Sequence, residues 1–240
     1  MNNWFSWNGQ NSLEYGIRVT RQPELTIAQE RVTWEKVTGR SGSVTMLEGE
    51  SVYDDITMSA ECMIDDLTAL GEAMAWLQGK GMLGLPIRPG GYYIGRLSQQ
   101  ISLARVITAR EDRRFTLVWR CEPFFYLTPD EDIELTEAGR VVNPSVIPSQ
   151  PRITVYGTGD VILVTGGTVV GLTGLTDGII LDSELVDALD LEETQLVNEK
   201  VTGEFPVFGA GATNISWEAD PAGEGGSVTK VVIEPRWRTL

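Results

Sequence analysis

The sequence predicts a mainly β protein of two domains, a strand-rich N-terminal one carrying a single helix and a C-terminal β-sandwich. Three observations predict it. The 26 glycines and 11 prolines are spread along the 240 residues, and the runs between them are rich in β-branched side chains, the composition of short strands joined by turns. Only residues 65–79 have clear helical periodicity. Between Pro123 and Pro151 the texture changes, with five prolines and the charge run Asp130-Glu131-Asp132. That change marks a domain boundary centred on residues 137–144, dividing the chain into 1–140 and 141–240.

The elements follow in chain order. Asn8-Gly9-Gln10-Asn11 is turn-prone, and residues 16–20 alternate as a strand. Residues 30–37 read as a second strand, ended by Gly39-Arg40-Ser41-Gly42, and 51–63 as a longer one. In the helix, Leu67, Leu70, Met74 and Leu77 form one apolar stripe; Asp65 and Asp66 suit the positive end of the helix dipole, and Gly79 suits the stop. Trp76 lies off that stripe and is expected to pack in the core. Residues 101–109 and 114–121 form a hairpin around the charged turn 110–113. Beyond the boundary, strands 150–156, 160–165 and 168–172 are divided by Gly157-Thr158-Gly159 and Gly166-Gly167, read as tight turns. Residues 182–197 fit a helical face through Leu185, Leu189, Glu192 and Leu196, or a strand. Residues 214–218 and 227–233 alternate as strands, and Pro235-Arg236-Trp237-Arg238 follows them.

Composition narrows function by exclusion. A chain of this length buries roughly 70% of its unfolded surface and needs no metal or disulfide to fold. No run approaches the ~20 apolar residues of a membrane span, and the start carries no basic-then-apolar export signal, so synthesis in a cytoplasm is expected. Cys62 and Cys121 read as buried strand thiols. There is no histidine, which removes Ser-His-Asp and Cys-His hydrolysis and histidine-ligated zinc. The net charge is −15. Residues 1–140 carry 14 basic and 20 acidic groups, and 141–240 carry 5 and 14, a balance that repels phosphate backbones and argues against stable nucleic-acid binding.

Among candidates for chemistry, two carboxylates suffice for glycoside hydrolysis, and Asp54-Asp55 and Asp65-Asp66 are the visible doublets. The first sits in strand context with its side chains on opposite faces; the second sits where a helix wants negative charge. Glu192-Glu193 and Asp130-Glu131-Asp132 lack the spacing of a calcium loop. No Gly-Lys-Ser/Thr follows the glycine pairs, so they make no phosphate cradle. No catalytic, cofactor-binding or metal-ligating residue is assigned. The aromatics Trp4, Phe5 and Trp7, Phe124, Phe125 and Tyr126, and Trp34, Trp119, Trp217 and Trp237 suit core and subunit packing; sugar stacking, as in a carbohydrate-binding module, is the alternative.

The order of several segments goes further. Phe5-Ser6-Trp7-Asn8-Gly9, Leu13-Glu14-Tyr15-Gly16-Ile17 and Thr33-Trp34-Glu35-Lys36-Val37-Thr38-Gly39-Arg40-Ser41-Gly42 resemble the first part of the distal tail (Dit) proteins of long-tailed bacteriophages, the siphoviruses. So, in the same order, do Asn143-Pro144, the run from Pro151 to Gly157, Asp182-Ser183-Glu184, Phe205-Pro206-Val207-Phe208, Asn214-Ile215-Ser216-Trp217 and the closing Ile233-Glu234-Pro235-Arg236-Trp237-Arg238. The resemblance implies a non-enzymatic virion protein without cofactors. Its N-terminal β-sandwich-type domains would form a homohexameric ring around a DNA channel, and a galectin-like β-sandwich would project outward. One face would meet the tail-tube protein and the other the tail-associated hub protein, with receptor-binding proteins at the periphery. A related tail-tube or baseplate component is similar in architecture. It also implies that residues 182–197 are strand and loop. Gly39, Arg40 and Gly42 match the family's turn, where glycine permits positive φ and Arg40 would pair with an acid of its own or the next subunit. Arg236, Trp237 and Arg238 match the closing motif and would pin the chain end; Trp4 and Trp34 are the expected ring contacts.

Overall fold

A computed structural model of the chain describes residues 3–49, 52–64, 66–102, 104–105, 113–129, 131–223 and 225–240. It divides into two compact units, Met1–Tyr126 with Leu240, and Leu127–Thr239. Both are built from antiparallel strands.

The first unit contains β1 (Ser6–Trp7), β2 (Gln10–Asn11), β3 (Ile17–Arg21), β4 (Val32–Lys36), β5 (Ser43–Leu47), β6 (Ile56–Ile64), α1 (Leu70–Trp76), β7 (Lys80–Leu85), β8 (Arg88–Leu97), β9 (Ala104–Arg105) and β10 (Arg113–Leu127). Its sheet has the order β2-β1-β7-β8-β10-β6-β3. Asn8 and Gly9, with φ of 51° and 80°, form the turn between β1 and β2, as two successive left-handed residues must in a two-residue hairpin. Strict alternation turns one face inward. In β6 this is Ile56, Met58, Ala60, Cys62 and Ile64, and opposite them in β10 Cys121, Trp119, Leu117 and Phe115. Cross-strand pairs such as Trp119–Met58 and Leu117–Ala60 therefore share the buried face. The segment 101–109 contributes only β9 among its described residues, and the turn 110–112 lies outside them, as does Ser51 of the expected strand 51–63.

The helix is shorter than the 65–79 stretch. Leu67–Ala69 forms a 3-10 turn and α1 begins at Leu70. Asp65 lies outside the described residues. Asp66 accepts from the Thr68 amide at 2.8 Å and the Thr68 hydroxyl at 2.7 Å, a local side-chain turn that competes with an α-helical first turn. Ala73 and Leu77, four residues apart, are the buried face, while Leu70 and Met74 are half-buried. Trp76 stacks on Tyr15 at 4.1 Å and on Phe5 at 5.8 Å, and Phe5 meets Trp119 edge-on at 5.2 Å. This aromatic chain fixes the helix on the sheet.

The second unit contains β11 (Ile133–Leu135), β12 (Gly139–Asn143), β13 (Arg152–Thr165), β14 (Thr168–Leu175), β15 (Gly178–Asp182), β16 (Asp187–Leu189), β17 (Val201–Gly203), β18 (Gly211–Ala219) and β19 (Gly226–Glu234). Its division from the first falls before the composition boundary at 140/141. Pro123 sits inside β10 and brings no linker with it, while β11 and β12 pair with β19 and β18.

β13 is the spine of this unit. Its first half pairs with β15 and β19, and its second half with β14 and β18. Two half-sheets thus share one strand, and their inward side chains, among them Ile153, Val155, Val161, Leu163, Leu172, Leu181, Phe208 and Ile233, form a single core. Gly157-Thr158-Gly159 is therefore no turn but the point where β13 changes partners, with register shifts between Tyr156 and Gly157 and between Gly159 and Val161. A Cβ on Gly157 would meet the Ser227 carbonyl, and one on Gly159, at φ 76°, the Gly225 carbonyl. Only glycine lets the strands approach this closely. Gly166-Gly167 is a hairpin turn as expected. Residues 182–197 are strand and loop: β16 ends at Leu189, and the Asp190 carboxylate caps the next turn through Thr194 and Gln195.

Candidate functional site

Two places carry the residues singled out from sequence. The first is a ribbon. β4 and β5 pair only with each other among the described residues, in register from Val32↔Leu47 to Lys36↔Ser43. Its base is tied by Arg31 N to Val52 O at 2.8 Å, Asp54 N to Gln29 O at 3.0 Å, and the Arg31–Asp54 ion pair at 2.8 Å. Alternation puts Val32, Trp34 and Leu47 on one side of it, with Trp34 65% and Leu47 58% exposed. Met46, 49% exposed, sits on the other. The tip is the turn Gly39-Arg40-Ser41-Gly42, in which Gly39 and Gly42 have φ of 82° and 81°. The Arg40 amide donates to Val37 O at 3.1 Å, and its exposed side chain has no carboxylate partner among the described residues. Trp4 is not part of the ribbon. It is half-buried beside β3, its carbonyl accepting from Gln22 Nε2 at 3.2 Å.

The second place is the segment after β19. Arg236, with φ 50°, donates from Nη1 to Asp182 Oδ1 and from Nη2 to Asp182 Oδ2, both at 2.9 Å, and from Nη1 to Glu184 Oε2 at 3.2 Å. Asp182 Oδ1 also accepts from the amides of Glu184 and Leu185 at 3.1 and 3.2 Å. Burial works to raise the pKa of this carboxyl, but the hydrogen bonds and charge of Arg236 and the two amides outweigh it and hold it below the ordinary value. Trp237 packs against Phe208 at 6.0 Å, and its carbonyl accepts from Leu127 N at 2.8 Å. Arg238 Nε donates to Pro148 O at 2.9 Å. Within the first unit, Arg88 lies 4.1 Å over the Phe125 ring and donates to the Tyr93 hydroxyl and the Leu240 backbone oxygen, each at 2.6 Å.

The described carboxylates of the doublets are held in ordinary interactions. Asp54 pairs with Arg31 and Asp55 with Arg120 at 2.7 Å, so the two do not face a common space. Glu193 pairs with Arg152 at 2.6 Å. Asp130 lies outside the described residues. Phe5, Trp7, Trp119, Phe124, Phe125 and Tyr126 are core residues. Burial pushes the thiols of Cys62 and Cys121 up to about 12. Among the described residues, no helix is long and apolar enough to cross a membrane.

Asp182 and Glu184 were missed as contacts of Arg236, because no periodicity connects a loop with a chain segment more than fifty residues later. The signal was chemical: a closing motif with two arginines in an acidic domain needs carboxylates near it.

No protein-family model matches the sequence, and no curated protein matches it. The structure does find a counterpart. The crystal structure of the Dit (gp 19.1) protein of SPP1, described as a paradigm of the hub adsorption apparatus in phages infecting Gram-positive bacteria, superposes with a TM-score of 0.70 over 99% of each chain, at 13% sequence identity. The chain has the fold of SPP1 Dit. At this identity the agreement with Dit is one of architecture, both units included. The sequence resemblance to Dit proteins and the structural one thus point to the same fold.

Proposed function

We propose that this chain is a structural, non-enzymatic protein of a bacteriophage tail. Six copies close into a ring at the distal end of the tail tube, leave a central channel for DNA, and join the tube to the hub of the host-adsorption apparatus. The observation that carries this reading is the end-to-end correspondence of fold with SPP1 Dit. The first unit, Met1–Tyr126 with Leu240, forms the ring. The second unit, Leu127–Thr239, is a galectin-like sandwich that projects outward and offers a site for receptor-binding proteins. The protein is a virion component made in the host cytoplasm.

The ribbon supports the ring. A closed ring of identical subunits uses a heterologous contact, one surface of each copy against a different surface of the next. A two-stranded ribbon standing alone is marginal in water, and this one carries Trp34 and Leu47 exposed on one side. Burying that side against the neighbouring copy stabilises both the ribbon and the ring. Arg40 at the tip then meets an acid of the neighbour, and Trp4 lines the same interface from its own subunit. Arg236, Trp237 and Arg238 fix the chain end. The net charge of −15 suits a conduit that DNA must pass without adhering.

Negative-stain images of the purified full chain test the reading. Six-fold rings with an open centre are expected; single particles at every concentration, with or without neighbouring tail proteins, would sink it.

A further inference from the structure

We propose that the turn joining β15 to β16, Ser183-Glu184-Leu185-Val186, is a docking tip for a protein partner whose surface offers an apolar hollow rimmed by lysine or arginine. Four observations converge on it. Leu185 and Val186 are 64% and 60% exposed, where turns ordinarily place glycine, asparagine, aspartate or serine. Val186 has φ 58°, a left-handed conformation that a β-branched residue adopts only under strain. Four non-glycine residues have positive φ among those described, and three of them gather here, Val186 within the turn and Glu193 and Arg236 in the segments tied to it. Glu193 pairs with Arg152, which lies opposite Asp182 in the β13–β15 ladder, and Arg236 holds Asp182 and Glu184. The Oγ of Ser183 and the Nε of Arg152 are buried and without a hydrogen-bond partner among the described residues.

Strained backbone and unpaired buried polar atoms concentrate where a structure is held for a purpose other than its own stability. Here the holding is explicit. Asp182 ties the turn through two backbone amides, and Arg236 ties Asp182. The two aliphatic side chains are thus presented in a fixed arrangement, and little freedom is lost when they are covered.

Charge selects the occupant. Residues 182–204 contain eight acidic residues and one lysine; with Arg152 and Arg236, which pair with Glu193, Asp182 and Glu184, the balance around the turn stays negative. Such a surface repels nucleic acid and anionic lipid alike. A protein surface with a basic rim complements it, and an apolar hollow accepts Leu185 and Val186. A second copy of this chain, itself acidic, is a poor match.

The inference rests on the tail-protein reading only for its choice of probes, the products of the tail genes flanking this one, each co-expressed with the full-length chain. The test variant is Leu185→Ser with Val186→Asn, since asparagine tolerates the left-handed conformation; Val186→Gly is the control that relieves the strain while leaving Leu185. We expect one flanking product to bind the wild type, to bind more weakly as salt rises, and to lose roughly tenfold or more in affinity with the double variant, the consequence of removing two aliphatic anchors. An unchanged affinity with correctly folded double variant overturns the proposal, as does a wild type that binds none of these products. Altered self-association in place of altered partner binding assigns the tip to a second copy and overturns it too. Ring formation is scored in the same preparations: rings with unaffected partner binding refute the tip alone, and the absence of rings refutes the tail reading.

Discussion

Arg236 holds Asp182 end-on, its two terminal nitrogens donating one to each carboxylate oxygen, Nη1 to Oδ1 and Nη2 to Oδ2, both at 2.9 Å. The Asp182 side chain is 6% exposed and that of Arg236 22%. This is a largely buried, bidentate ion pair between the segment after β19 and the last residue of β15.

Removing the charge from this pair is expected to cost roughly 1.5–3 kcal/mol, the range for hydrogen bonds to charged groups. Asp182→Asn keeps an oxygen for the two amides and so isolates the ionic part. The sign with pH follows from the lowered pKa of Asp182. A carboxyl whose folded pKa lies below its unfolded one stabilises the fold above the unfolded value and loses that contribution as pH falls through the folded one. Urea midpoints of wild type and variant should therefore differ at pH 7 and converge in acid. A constant difference down to pH 2 would contradict the assignment.

If copies of the chain close into the proposed ring, Trp34→Ala should dissociate it while leaving the subunit folded, because the side chain is 65% exposed and supports no core. Trp4→Ala, at a half-buried position beside β3, should cost subunit stability as well. Sedimentation velocity paired with thermal melts separates the two effects. A Trp34→Ala ring as stable to dilution as the wild type counts against the ribbon as the contact.

Gly159→Ala is expected to cost about 3 kcal/mol or more and to yield little soluble protein. The new methyl would strike the Gly225 carbonyl at a residue with φ 76°, so steric overlap adds to the ~1–2 kcal/mol conformational cost. Gly39→Ala is the comparison. At φ 82° with open space around its Cβ, it should incur the conformational cost alone, confined to the ribbon tip. Comparable expression of the two variants would refute the close approach of β13 to β19.

Both thiols should resist an aromatic disulfide reagent at pH 8 in the native protein and react at once in 6 M guanidinium. Burial that lifts Cys62 and Cys121 to about 12 leaves almost no thiolate at pH 8. Folded pKa values above the unfolded ones mean that this contribution to stability is intact below pH ~8.5 and declines as pH rises toward 12. Rapid native labelling of either cysteine would show that its strand opens.

Much of the architecture was legible in the sequence because half-buried strands leave a period-two trace, as in β6, β18 and β19. What was not legible has a common cause. The glycine- and proline-rich run 79–95 is assigned no element from sequence, yet it forms β7 and most of β8. Gly81 lies beneath the Trp7 ring, where a Cβ would come within 2.6 Å, and Gly95 lies against Cys121, where one would come within 2.7 Å. These glycines are there because other chain segments cross them, which only tertiary structure reveals. Gly157 and Gly159 misled in the same way. Of the site residues, the ribbon could be read from its strand and glycine turn. The grip of Arg236 on Asp182 could not, because an ion pair between distant segments leaves no local pattern.

The arrangement of β13 sets the order in which the second unit can be made. Its four neighbours include β18 and β19, which are synthesised last. While the ribosome is still adding residues 166–234, this long apolar strand has no permanent partner on one edge. The unit can close only when β19 leaves the exit tunnel, so a nascent chain stalled before residue 226 should remain protease-sensitive beyond Leu127. For that interval β13 is an open template for intermolecular pairing, which makes slow translation or loss of the final strand a direct route to aggregation.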